Sequence, residues 1–209
     1  MLIILQIIEF FIDYRFMQQA PYRELKNTKG ATDPIYFMDG THPQHNSVVA
    51  YGWIKKGTTK ELKSNTGRRR LNINGAIDVE NTCISVDYGM SINAQSTISL
   101  LEEIELKHTE AENIYVICDN ARYYRSRKVK EYLETSKVEL RFLPPYSPNL
   151  NLIERLWKYF HKIVLYNKYY ETYHEFQKAC KSFFRNIKRH KKDLASLLTE
   201  NFQIIGSNT

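Results

Sequence analysis

The sequence has no long hydrophobic run, no Pro/Gly/Ser-rich linker, no internal repeat and only three cysteines. Residues 1–17 (MLIILQIIEFFIDYRFM) come nearest to a hydrophobic run, but Glu9 and Asp13 interrupt them and leave too little to span a bilayer. The same segment lacks a basic leader and a small-residue cleavage site, so it reads as an amphipathic helix or the remnant of a longer N-terminal region, not as a secretory signal. Cys83, Cys118 and Cys180 are odd in number, far apart and outside any C-x-x-C spacing. A disulfide frame and a zinc site are thereby excluded, and reduced thiols in a cytoplasmic protein are expected, at least two of them in the core. Acid is also short: 23 Asp and Glu face 30 Lys and Arg, leaving +7 at neutral pH. Such a balance favours polyanionic partners such as nucleic acid or an anionic surface. What is present is enough for a core, since 43% of 209 residues are hydrophobic and 13% aromatic. One α/β domain over residues 33–209 is expected, preceded by a helix or linker remnant over 1–32.

Along the chain, the loop NTKGATDP at 27–34 precedes an apolar stretch at 35–38 that ends at Asp39-Gly40 and reads as a first strand with its exit turn. Residues 48–54 (VVAYGWI) and 71–79 (LNINGAIDV) read as two further strands of an antiparallel meander, joined by a basic connection from Lys55 to Arg70. Residues 94–107 place Ile98, Leu101, Ile104 and Leu106 near helical spacing, and 114–118 (IYVIC) is wholly apolar, as expected of a strand covered on both faces. A basic amphipathic helix over 122–135, a strand over 139–143, a proline-fixed loop at 144–148 and two helices near 152–165 and 173–189 complete the list. Strand, strand, strand, helix, strand, helix, strand, helix, helix resembles the ribonuclease H-like order: a mixed five-stranded sheet flanked by helices.

In that arrangement Asp39 and Asp119 end neighbouring strands, and Glu154 stands in the first turn of a helix that can cross the same sheet edge. Three converging carboxylates repel one another unless cations intervene, so the cluster points to bound metal. Oxygen ligands suit Mg²⁺, with Mn²⁺ as a substitute. Two ions about 4 Å apart activate a water or 3′-hydroxyl for in-line displacement at phosphorus. Each acid also has an ordinary alternative: a turn for Asp39-Gly40, an N-cap for Asp119, and a capping box with Asn151 for Glu154.

The stretches YFMDGTHPQHN at 36–46, IYVICDNARYYRS at 114–126 and LPPYSPNLNLIERLWK at 143–158 resemble the three catalytic blocks of DDE transposases in the bacterial insertion-sequence branch of the mariner superfamily. Thirty-four residues lie between Asp119 and Glu154, similar to the spacing of that branch. The resemblance implies Asp39, Asp119 and Glu154 as catalytic acids that bind two metal ions, and cleavage of element ends followed by strand transfer into target DNA, at TA. It also implies a homodimer on DNA and a nucleoid-associated protein. Family members carry an N-terminal helix-turn-helix region that has no counterpart here, so a truncated copy, a frameshifted half or a separately encoded catalytic piece is expected, with the DNA-binding half supplied separately. The alternative is an inactive, domesticated core that serves as a DNA-binding or dimerisation module. Lys55, Lys56, Arg68, Arg69 and Arg70 on the basic connection, and Asn120, Arg122 and Arg125 beside Asp119, are candidate DNA contacts. Trp157 and Phe160 read as anchors that bury the Glu154 helix. His42, His45, Asp33, Asp78 and Asp87 are left without a role.

Overall fold

In the computed structural model, which describes residues 21–52, 54–59, 61–65, 67–78, 80–144 and 150–199, the apolar stretch at Asp39 becomes the central strand of a five-stranded sheet. The strands are β1 (Ile35–Thr41), β2 (Asn72–Asp78), β3 (Cys83–Gly89), β4 (Ile114–Cys118) and β5 (Val138–Phe142). Their spatial order is β3-β2-β1-β4-β5. The β1–β2 and β2–β3 pairs are antiparallel and the β1–β4 and β4–β5 pairs parallel. Helices α1 (Ala94–Lys107), α2 (Arg127–Leu133), α3 (Ile153–Val164), α4 (Tyr173–Arg185) and α5 (Lys191–Leu197) flank it, with a 3₁₀ turn over Ile187–His190 ahead of α5. This is the mixed, ribonuclease H-like α/β architecture read from the sequence.

Alternation along the strands divides the core in two. Phe37, Ile73, Ile77 and Ile117 face α3 and α4, packing with Leu156, Trp157, Phe160, Phe176 and Phe184. Met38, Ala76, Val116 and Cys118 face the other way, onto Leu100, Leu101 and Ile104 of α1 and Val129 of α2. Cys118 and Cys180 are buried, Cys83 is half-buried, and all three are free thiols. No helix among the described residues is long and apolar enough to cross a membrane. The amphipathic reading of residues 1–17 and most of the 144–148 loop lie outside the described residues.

The structure differs from the expected meander at one strand. The described residues of 48–54 do not join the sheet: Val48 makes an isolated bridge with Tyr166, and the Asn167 side chain takes both backbone groups of Ala50 at 3.0 Å. Those partners come from the turn after α3, where Asn167 has a positive φ of 57°, so β1 is left to pair with β2. The third strand is instead β3, entered by a tight hairpin that Asp78 organises. Its carboxylate accepts from the amides of Glu80 (2.9 Å) and Asn81 (3.3 Å) and from Asn81 Nδ2 (2.8 Å). The basic helix is also shorter than its expected 122–135, because Ser126 caps α2 with its hydroxyl and residues 122–125 form a turn. The last helix stops at Arg185, and α5 is a separate short helix that periodicity did not reveal.

Candidate active site

The site is built at the edge where β1 and β4 run parallel, with Met38 level with Cys118. Asp39 therefore follows Met38 on one strand as Asp119 follows Cys118 on its neighbour. Asp39 does not end its strand, as the sequence had implied; β1 continues through Thr41, and Asp39 sits opposite Gly75 of β2. Glu154 reaches the edge from the first turn of α3. Asp39-Gly40 is strand, not turn. Asp119 accepts the Ala121 amide at 3.0 Å in an Asx turn, while Ser126 caps the helix beyond. Glu154 has no capping-box partner, because the residue at the helix cap is Leu152 and makes no side-chain bond.

Electrostatics show that the acids feel one another. Asp39 is pushed up to about 7, by burial first and then by the charges of Glu154 and Asp119, although the Gly40 amide and the Trp157 indole pull the other way. Glu154 is raised by burial and by Asp119, with Lys158 opposing. Tyr123, just past Asp119, is pushed up to about 12 by burial and, in part, by Asp119 and Asp39. Among the described residues, no group of three His, Cys, Asp or Glu side chains is gathered tightly enough to hold a metal ion as it stands. The donor chemistry nevertheless suits a hard divalent cation: oxygen ligands only, with a half-buried Asp39 raised by the charges of the other two acids.

Two residues at this edge carry more than the sequence showed. Trp157, read only as a packing residue, donates from Nε1 to Asp39 Oδ2 at 3.2 Å. Gly75 makes room for it, since a Cβ there would meet Trp157 Cη2 at 2.5 Å. Asn151 Nδ2 donates to the Met38 carbonyl at 3.3 Å, tying the start of α3 to β1 beside Asp39. The three-residue spacing of 151, 154 and 157 was the available signal, since it sets Glu154 and Trp157 on one face of the helix and Asn151 in its lead-in turn.

The remaining candidates scatter. Asn120 bonds the Leu143 carbonyl at 2.7 Å and accepts from Arg125, whose guanidinium lies 4.1 Å over the Phe142 ring; together they brace the β4 exit against β5. Arg122 is exposed on the turn after Asp119. Lys55, Lys56, Arg68 and Arg70 are exposed on the long loop between β1 and β2, and Arg69 stacks 4.1 Å over Tyr173. His42 bonds Asn72 and His45 bonds the Tyr170 carbonyl, so the two do not converge on a common ion. Asp33 caps the amides of Glu112 and Asn113, and Asp87 is paired with Asn74 on the face opposite Asp39.

Residues 34–177 match the family of DDE superfamily endonucleases. The chain belongs to that family. The DDE domain is 25% identical over 158 residues to the insertion element IS630 uncharacterized 39 kDa protein of Shigella sonnei, covering 75% of this chain and 46% of that protein. The Mos1 mariner paired-end complex with Mn has the same fold at 19% identity and a TM-score of 0.59, covering 87% of this chain and 58% of that one. The Mos1 transposase paired-end complex with left transposon end gives 18% and 0.58, over 89% and 61% of the two chains. An insertion-element protein and mariner structures are thus what this chain is similar to, in line with the blocks at 36–46, 114–126 and 143–158. The chain spans about half the length of the curated relative it matches.

Proposed function

We propose that this chain is the catalytic portion of an insertion-sequence transposase, in which Asp39, Asp119 and Glu154 hold divalent metal and direct cleavage and transfer of DNA strands. The observation that carries this reading is a half-buried Asp39, one residue past the level pair Met38 and Cys118 and so beside Asp119, whose carboxyl is held near 7 by partial burial and two neighbouring acids, an arrangement that a divalent cation would relieve. When bound, the ions supply activation of a water or a 3′-hydroxyl and stabilisation of the leaving oxygen. The protein's own part is to hold Asp39 against Trp157, to present Asp119 on an exposed Asx turn, and to deliver Glu154 on a helix anchored through Asn151. Mg²⁺ is the natural ion and Mn²⁺ a substitute, and the Mos1 complexes with Mn and with Mg support that choice.

DNA is the substrate that the family and the paired-end Mos1 complexes support. Arg122, beside Asp119, and Lys55, Lys56, Arg68 and Arg70 on the β1–β2 loop are the cations we assign to the phosphate backbone. Asn120, Arg125 and Arg69 serve the site indirectly, by bracing the backbone that carries it. Insertion at TA, a homodimer on paired ends and a partner DNA-binding half are parts of the same proposal. The experiment is Mn²⁺-dependent cleavage of labelled DNA carrying the element's ends by this chain and by Asp39→Ala and Glu154→Ala. Loss of cleavage in both variants is expected; cleavage that survives both substitutions would overturn the assignment.

A further inference from the structure

The face of α3 and its lead-in turn that bears Glu154 is stitched to β1 on either side of Asp39. Asn151 bonds the Met38 carbonyl at 3.3 Å, Trp157 bonds Asp39 Oδ2 at 3.2 Å, and His161 Nε2 lies 3.4 Å from Thr41 Oγ1. Asn151 and His161 fix where the helix lies. Trp157 differs from both, because its partner is the carboxylate itself.

The indole reaches Asp39 by crossing β2. Gly75 stands opposite Asp39 in the β1–β2 ladder, and a Cβ at position 75 would approach Trp157 Cη2 to 2.5 Å and Cζ2 to 3.0 Å. The first is closer than side-chain contacts allow and the second is tight, and the ring has little space to retreat into, being 3% exposed and packed edge-on against Phe184 at 6.0 Å. Hydrogen is thus the side chain at position 75 that leaves the ring where it is. Burial of a tryptophan alone would not require the N–H to end on a carboxylate oxygen, and an indole N–H can only donate.

We propose that Trp157 is a positioning residue for metal binding: its N–H fixes the plane of the Asp39 carboxylate before an ion arrives, and Gly75 is the clearance that permits it. The inference rests on the reading of Asp39 as a metal ligand. Groups that hydrogen-bond a ligating carboxylate spare the ligand a loss of rotational freedom on binding, and their removal typically weakens metal affinity 10- to 100-fold.

The test is Mn²⁺ binding by titration calorimetry on the whole chain, without DNA or turnover. Trp157→Phe and Gly75→Ala should each weaken binding roughly tenfold. The double variant should be no weaker than the poorer single one, because both changes remove one hydrogen bond. Replacing Trp157 with β-(3-benzothienyl)alanine keeps the ring's bulk and removes only the N–H, so it should reproduce the loss with a thermal midpoint close to that of the unmodified chain, even if Trp157→Phe fails to fold. Asp39→Ala serves as the reference. If it leaves Mn²⁺ affinity unchanged, Asp39 is not a ligand, and the metal reading falls together with this inference. If Asp39→Ala abolishes binding while the benzothienyl variant binds as tightly as the unmodified chain, Trp157 is packing alone and the inference is overturned.

Discussion

Two aspartates just six residues apart show how placement decides what a carboxylate does. Asp33 accepts backbone amides from Glu112, Asn113 and Gly30, which favour its charged form and hold its carboxyl below the usual range. Asp39 is raised to about 7 by burial and neighbouring acids. The two act oppositely on stability. A depressed carboxyl stabilises the fold above the unfolded-state value of 3.8 and loses that contribution as pH falls further. A raised one binds its proton more tightly in the folded state, so stability is lost as pH climbs from about 4 to about 7. The metal-free chain should therefore melt at a higher temperature at pH 5 than at pH 8. Asp39→Asn should flatten that slope and stabilise the protein at pH 8 by roughly 1 to 3 kcal/mol. Calorimetric scans across the range decide it, and an Asp39→Asn chain with an unchanged slope would show that another group is responsible. Asp33→Ala should cost about 1 to 3 kcal/mol at pH 7, since it removes the charged acceptor of three backbone amides. Denaturant midpoints for that variant measure the cost directly.

At the scale of elements, stability and legibility follow the same contacts. Phe160 is fully buried on α3 and touches Phe183 and Phe184 with ring centroids 5.3 and 5.0 Å away. Phe160→Ala should cost about 3 to 5 kcal/mol by denaturant titration, loosening the helix that carries Glu154. Asn151→Ala should cost far less stability and lower Mn²⁺-dependent cleavage, because it frees the start of α3 from β1 without opening a large cavity; equal losses in both measurements would argue against a positional role. Local patterns made α1, β4 and α3 readable, since each has the apolar period of its own element within a short window. The stretch at 48–54 carries the same β-forming residue types, but its Val48 and Ala50 find backbone partners at Tyr166 and Asn167, which no local pattern encodes. β3 does carry a local signal: Ile84, Val86 and Tyr88 alternate with Ser85 and Asp87, and the apolar set packs on the core. At the site, Asp119 and Glu154 were legible as residues at element boundaries within recognisable blocks. The Trp157–Asp39 bond was not, because it joins residues 118 apart and depends on the absent side chain of Gly75.

For the whole molecule, a charge of +7 speaks only to the sign of the partner, and the structure sorts the cations that make it up. Arg69 and Arg125 are committed to aromatic faces at 4.1 Å, on Tyr173 and Phe142, and Arg125 also holds Asn120. Lys55, Lys56, Arg68, Arg70 and Arg122 are exposed on loops and turns, where a phosphate backbone can reach them. The two groups should separate in a salt titration of DNA binding. Each exposed cation that neutralises a phosphate releases a counterion, so its replacement by alanine should lower the slope of log K against log salt by about 1. Arg122→Ala and the Arg68→Ala/Arg70→Ala pair should behave in this way while melting at nearly the unmodified temperature. Arg69→Ala and Arg125→Ala should instead lower the melting temperature, because they remove a stacked brace worth on the order of 1 kcal/mol, with less change in the salt slope. A slope that falls equally for both groups would mean that the stacked arginines also face phosphate, and that the bracing seen around Asn120 gives way when DNA binds.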